Sequence, residues 1–177
     1  MENRPEASWK VERLDGRHDR KSFDCGNPLL SHWLRTQASQ YEKKDLARTY
    51  VAVSEGQFLV VGYYAISSHR VSFDVLPEEL AKGLPGISIP VILLGRLAVD
   101  LKAQKRGLGG HLLVDALRRA QHISEQIGAR AVEVDAVDDA AREFYLHFGF
   151  QSLLDDARHL YISMQKIRKL NLPPFVR

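Results

Sequence analysis

Cysteine is almost absent: Cys25 is the only one in 177 residues. An internal disulfide is excluded, and nothing in the composition points to an oxidising compartment. Long apolar runs are missing too, since none approaches the ~20 residues of a membrane span. Met1-Glu2-Asn3-Arg4-Pro5-Glu6 has no apolar leader core, which predicts no signal peptide. The expected location is cytoplasmic, away from membranes. The 7 histidines and the lone cysteine show no metal-ligand spacing, so no metal is expected. Internal repeats, low-complexity blocks and linkers are absent, which leaves one domain spanning 1–177, with an irregular tail over about the last 7 residues. Neither the dinucleotide fingerprint G-x-G-x-x-G nor the P-loop G-x-x-x-x-G-K-[ST] occurs.

Charge of one sign is also scarce. The net charge is +3 and the sequence pI about 9.0, which permits a polyanion partner without demanding one. The basic residues are clustered, however. Lys102, Lys105, Arg106, Arg118 and Arg119 are opposed over their interval only by Asp115. Arg35, Lys43, Lys44 and Arg48 form a second group. Each cluster reads either as a solvated helix face or as a surface for phosphates larger than one cofactor.

The chain is organised around Gln104-Lys105-Arg106-Gly107-Leu108-Gly109-Gly110. An apolar run, residues 91–99, precedes it, and a helical pattern begins near Leu108. A strand, a glycine turn and a helix N-terminus in that order make an anion site, because first-turn N–H groups have no internal partner. Glycine lets the backbone approach a ligand and adopt positive φ. Arg96, inside the apolar strand, must either pair or face a cleft.

Elsewhere, Trp9–Leu14 alternates like a strand. Asn27-Pro28 caps and opens a helix whose stripe is Leu30, Trp33, Leu34, Ala38 and Tyr41. Residues 49–53 and 58–67 read as a hairpin, 71–75 as a further strand, and 76–81 as a short helix. Leu108, Leu112, Leu113, Ala116, Leu117, Ala120 and Ile123 keep helical spacing up to a stop at Gly128. Residues 131–137 predict a strand, with Glu133 and Asp135 at its edge. Asp138 or Asp139 caps a helix holding Phe144, Tyr145 and Phe148, which Gly149 ends. Strands near 150–154 and 160–167 follow. The sum is an α/β chain with a mixed sheet.

Strand, Q-x-x-G-x-G, long helix, strand, then a helix ending Tyr145-Leu146-His147-Phe148-Gly149-Phe150 resembles the GNAT family of acetyl-CoA-dependent N-acetyltransferases. The resemblance implies the GNAT fold: a mixed, mostly antiparallel central sheet, splayed at the cofactor site, with helices on both faces. It implies acetyl-CoA as cosubstrate, bound by Leu97, Ala98, Val99, Gln104, Lys105, Arg106, Gly107, Leu108, Gly109 and Gly110. It makes Tyr145 the general acid for the departing thiolate; on spacing alone this residue reads first as a core aromatic, and only the family motif reverses that. Asp138 stands where many members carry a cofactor-contacting Asn, so it is assigned only the cap.

Phe23-Asp24-Cys25-Gly26-Asn27-Pro28-Leu29-Leu30, Trp33-Leu34 and residues 47–53 are similar to the GNAT toxins of bacterial toxin–antitoxin pairs. That resemblance implies a charged tRNA substrate, acetylated on the amino acid's α-amine to block translation. It also implies a ribbon-helix-helix antitoxin, a homodimer, and DNA contact only through the antitoxin. Arg35, Lys43, Lys44, Arg48 and Arg96 are the candidate tRNA contacts. The alternatives are a GNAT acting on a small amine or a protein N-terminus, and a non-catalytic module that keeps the fold. Cys25 reads as packing, since the chemistry needs no acyl-enzyme.

Overall fold

The computed structural model describes residues 8–173. The leader reading of residues 1–6 and the end of the expected tail lie outside them. Among the described residues seven strands form one sheet: β1 (Trp9–Arg13), β2 (Arg48–Ser54), β3 (Val60–Val71), β4 (Ile89–Val99), β5 (Ala131–Asp135), β6 (Gln151–Ser152) and β7 (His159–Ser163). Their order is β1-β2-β3-β4-β5-β7-β6. The sheet is mixed: β4 and β5 are parallel, while β1–β2, β5–β7 and β6–β7 are antiparallel. Six α-helices among the described residues accompany it: α1 (Pro28–Thr36), α2 (Ala38–Lys43), α3 (Glu78–Ala81), α4 (Leu108–Ser124), α5 (Asp139–His147) and α6 (Met164–Lys169).

By contacts the chain divides into two compact units. One is drawn from the chain up to Ala65 and from Arg96–Asp115, the other from Ile66–Gly95 and from Ala116 onward. In the first, the core gathers Phe23, Trp33, Leu34, Val51, Tyr63 and Ala98. Tyr63 stacks on Trp33 at 5.9 Å and its hydroxyl donates to the Leu30 carbonyl at 2.7 Å, so a buried aromatic keeps its polar end bonded. Gly62 is required by close approach: a Cβ there would stand 2.9 Å from Leu112 Cδ1 and 3.3 Å from the Ala98 carbonyl. In the second unit, Val71, Leu76, Leu80, Val91, Ala131 and Tyr161 form the core.

Local signals placed most boundaries. Asn27 Oδ1 accepts from the Leu29 and Leu30 N–H groups, with Pro28 at the first helical position. Asp138 Oδ1 accepts from Ala141 N–H at 2.7 Å, and Gly149 leaves α5 with φ 92°.

Several expectations are corrected. The stripe from Leu30 to Tyr41 belongs to two helices, because Gln37 breaks the backbone at φ −113°. Residues 71–75 form no new strand: β3 runs on to Val71, and Phe73–Val75 is a 3₁₀ turn. The last strand stops at Ser163, whose hydroxyl caps α6 by accepting from Lys166 N–H at 3.1 Å. β5 ends at Asp135, two residues early, and α4 ends at Ser124, short of Gly128. Glu133 does not sit at a solvated edge. It is 2% exposed on β5, between β4 and β7.

Candidate active site

β4 ends at Val99, and Asp100 turns the chain. Its carboxylate accepts from Lys102 N–H at 2.9 Å and from Asp24 N–H at 3.0 Å. Leu101 N–H returns to the Asp24 carbonyl at 2.8 Å. Gln104 closes the same knot: its side-chain amide donates to the Cys25 carbonyl at 3.1 Å and the Val99 carbonyl at 2.9 Å. The Asp24-Cys25-Gly26-Asn27 segment therefore braces the glycine turn. Gly26 holds φ 86°, with Leu101 Cδ2 3.3 Å from where its Cβ would be. Cys25 packs as expected, its N–H donating to Ser31 Oγ.

The turn that follows is an anion cradle. Lys105 and Gly107 take positive φ, 60° and 83°, which turns successive N–H groups to one side. The first backbone bond of α4 runs from His111 N–H to the Gly107 carbonyl. Among the described residues, no acceptor meets the N–H groups of residues 104–110. Residues 104–107 are exposed, whereas Leu108 is buried and anchors the helix start. Seven donors in sequence, with the charges of Lys105 and Arg106 beside them, fit a diphosphate. The Arg106 guanidinium lies 5.7 Å from the Trp9 ring, a weak hold that leaves its charge in solvent.

The register between β4 and β5 covers only Val91–Leu93 against Ala131–Glu133. Leu97 and Val99 are half-buried, while the Ala98 side chain belongs to the core. The Val99 carbonyl already accepts from Gln104.

Tyr145 belongs to the other unit. Its ring packs against Phe144 at 5.2 Å and Phe150 at 5.3 Å, and it is 7% exposed. To that extent it is a core aromatic. Its hydroxyl, however, bonds to no described residue, unlike that of Tyr63. Burial pushes its pKa well above the usual phenol value, so it stays a neutral phenol with a proton to donate.

The five basic candidates separate. Lys43 and Lys44 are exposed. Arg35 donates to the Phe23 carbonyl at 2.7 Å, and Arg48 pairs with Asp45 at 2.6 Å. Arg96 lies over Trp33 at 4.1 Å and Tyr41 at 5.6 Å, which answers how an arginine sits inside an apolar strand. Missed in sequence was an open groove of 620 Å³ lined by Arg17, Arg20, Lys21 and Arg35. Arg20 Nη2 donates to Ser39 Oγ at 2.6 Å, while its Nη1 is buried with no hydrogen-bond partner among the described residues. Its residues are polar and irregular, without periodicity to mark them. Among the described residues, no group of three His, Cys, Asp or Glu is arranged to hold a metal, and no helix is long and apolar enough to cross a membrane.

A model of the acetyltransferase (GNAT) domain matches residues 45–152. A tRNA-acetylating toxin of Mycobacterium tuberculosis is 40% identical, over 89% of this chain and 93% of its own. A probable toxin TacT of Sinorhizobium fredii is 33% identical, over 96% and 99%. AtaT complexed with acetyl-methionyl-tRNAfMet superposes with TM-score 0.86 at 27% identity, covering 93% of this chain and 99% of AtaT. A crystal structure of AtaTR with bound acetyl-CoA has TM-score 0.79 at 26% identity, covering 92% and 98%. The strand, cradle, helix and buried tyrosine are thus found in a chain that belongs to the GNAT acetyltransferase family.

Proposed function

We propose that this chain acts as one GNAT domain and as a toxin. It transfers acetyl from acetyl-CoA to the α-amine of an aminoacyl-tRNA, and so removes that tRNA from translation. The observation that carries the reading is the run of unpartnered N–H groups at residues 104–110, which suits the cosubstrate's diphosphate. Similarity along nearly the whole length to a tRNA-acetylating toxin supports the choice of acceptor.

In this reading Lys105, Arg106 and the backbone of 104–110 hold the diphosphate, and the backbone of Leu97, Ala98 and Val99 pairs with the pantetheine arm. Gln104 contributes mainly by tying the turn to Val99 and Cys25. The amine attacks the acetyl carbon, the C–S bond breaks, and the Tyr145 phenol protonates the sulfur. A thiol's pKa near 8.5 makes its thiolate a fair leaving group, and the Tyr145 proton offsets the charge as it develops on sulfur. An α-amine, with a reference pKa of about 7.7–8.0, is already partly neutral in the cell. That favours an aminoacyl acceptor over a lysine side chain.

Lys43 and Lys44 are the foremost tRNA phosphate contacts, with Arg35, Arg48 and Arg96 beside them and the Arg17–Lys21 groove as an extension. The partners are a ribbon-helix-helix antitoxin, through which DNA is reached, and a second copy of the chain. Charged tRNA places the activity in the cytoplasm. A tyrosine-to-phenylalanine mutant of the AtaT toxin has a solved structure bound to the C-terminus of the antitoxin AtaR, and the AtaT–AtaR complex has one bound to DNA.

Cell-free translation tests the toxin role. Addition of the chain is expected to stop synthesis only when acetyl-CoA is present, and fresh charged tRNA is expected to restore it. Arrest without acetyl-CoA would contradict the reading, as would rapid transfer to small amines with translation unaffected.

A further inference from the structure

Within the second unit, a polar chain runs through Glu133, the last residue of β5 in register with β4. Glu133 is 2% exposed. Its Oε2 lies 2.7 Å from His69 Nδ1 on β3, and its Oε1 2.6 Å from His159 Nε2 on β7. His159 Nδ1 continues to Asp155 Oδ2 at 2.8 Å. Asp135 stands opposite His159, and Tyr161 opposite Glu133, in the β5–β7 register. A carboxylate this deeply buried is costly unless its oxygens are bonded, and here both are.

The protons can be assigned. Both His159 nitrogens face carboxylate oxygens, so both must donate and the ring is an imidazolium. Burial alone would lower the pKa of His159, but its bonds to Glu133 and Asp155 outweigh that and raise it. Glu133 Oε2 then accepts from His69 Nδ1–H. That bond fixes the His69 tautomer and leaves a lone pair on Nε2. The His69 side chain is 51% exposed, and no described residue meets Nε2. An imidazole held by a buried carboxylate, with its far nitrogen open, is the arrangement of a general base.

Its place supports that use. Leu93 and Glu133 mark where β4 and β5 part, and Gly95, just beyond on β4, is exposed and carries no side chain. The GNAT resemblance puts the thioester at this opening. Attack by even a neutral amine creates an ammonium at the new C–N bond, and its proton must leave before the C–S bond breaks.

We propose that His69 Nε2 takes this proton, with Glu133 as the residue that positions it and His159 and Asp155 holding Glu133. The electron pair of the C–S bond leaves on sulfur, which takes its proton from Tyr145. The imidazolium and the phenolate are restored by exchange with water, so that in sum the amine's proton ends on the thiol. This proposal rests on the acetyl-transfer reading above.

The test is single-turnover acetylation of charged tRNA by the full chain. His69→Ala is expected to lower the rate about 10²-fold, while acetyl-CoA affinity stays within about twofold. Added imidazole should recover at least tenfold in His69→Ala, and nothing in Tyr145→Phe. Glu133→Gln presents an amide donor to Nδ1, inverts the tautomer, and should cause a similar loss that imidazole does not rescue. A His69→Ala rate within threefold of wild type overturns the proposal, and so does a loss that imidazole leaves unrelieved. A wild-type chain that acetylates no charged tRNA refutes the acetylation reading itself, so the two failures are distinguishable.

Discussion

Tyr145→Phe is expected to abolish growth arrest and to lower acetyl transfer by about 10²–10³-fold, while acetyl-CoA binds within about twofold of wild type. Removing one oxygen leaves the ring against Phe144 and Phe150, and this ring accounts for the packing. The hydroxyl bonds to no described residue, so its loss leaves no protein group unsatisfied, and stability should change by less than about 1 kcal/mol. A structural tyrosine would behave in the opposite way, losing stability and keeping the chemistry. Calorimetric acetyl-CoA titration and a thermal melt on the same sample separate the two cases. An active, stable Tyr145→Phe chain would remove the residue from the mechanism.

Asp100→Ala is the second large effect. This 8% exposed carboxylate accepts from the N–H groups of Lys102 and Asp24, capping the turn after β4 and tying it to the Asp24–Asn27 brace. Its removal strands both donors. The cost in stability should be about 2 kcal/mol, the sum of a lost cap and a lost long-range bond. The cradle begins four residues later, so its geometry should loosen with the turn. Acetyl-CoA affinity should then fall at least tenfold. Asp100→Asn keeps an acceptor and should fall in between. Calorimetric titration decides: wild-type affinity in Asp100→Ala would mean that the cradle holds its shape without the brace.

The sequence made the cradle legible because its signals are local. Asn27, Pro28, Asp138 and Gly149 act on their own neighbours, and the glycine turn needs only a strand before it and a helix after. The errors came where backbone pairing or one residue overrode periodicity. The polar stretch Ser67–Arg70 reads as a strand end, yet β3 continues through it beside β4 to Val71. Apolar spacing runs unbroken from Trp33 to Tyr41, so it conceals the break at Gln37. Ser163 both ends β7 and caps α6, so no loop announces the change from strand to helix.

The site divides in the same way. The role of Gln104 as a clip needs Cys25, 79 residues away, and the Glu133 network joins partners 64 and 26 residues apart. Alternation assigned Glu133 to a solvated edge, because alternation cannot tell which strand will lie beside it. Its one sequence mark is a lone carboxylate between Val132 and Val134, both buried. Arg96 raised the right question within its own strand, but Trp33 and Tyr41, which answer it, come from α1 and α2.

The central claim is acetyl transfer to the amino acid of a charged tRNA. Its most direct measurement uses isotope-labelled acetyl-CoA with total aminoacyl-tRNA, followed by alkaline release and mass spectrometry of the amino acids. Labelled N-acetyl-amino acid should be released from charged tRNA and from neither uncharged tRNA nor free amino acids. Label found on no amino acid, or on free amino acids and small amines alone, would contradict the account.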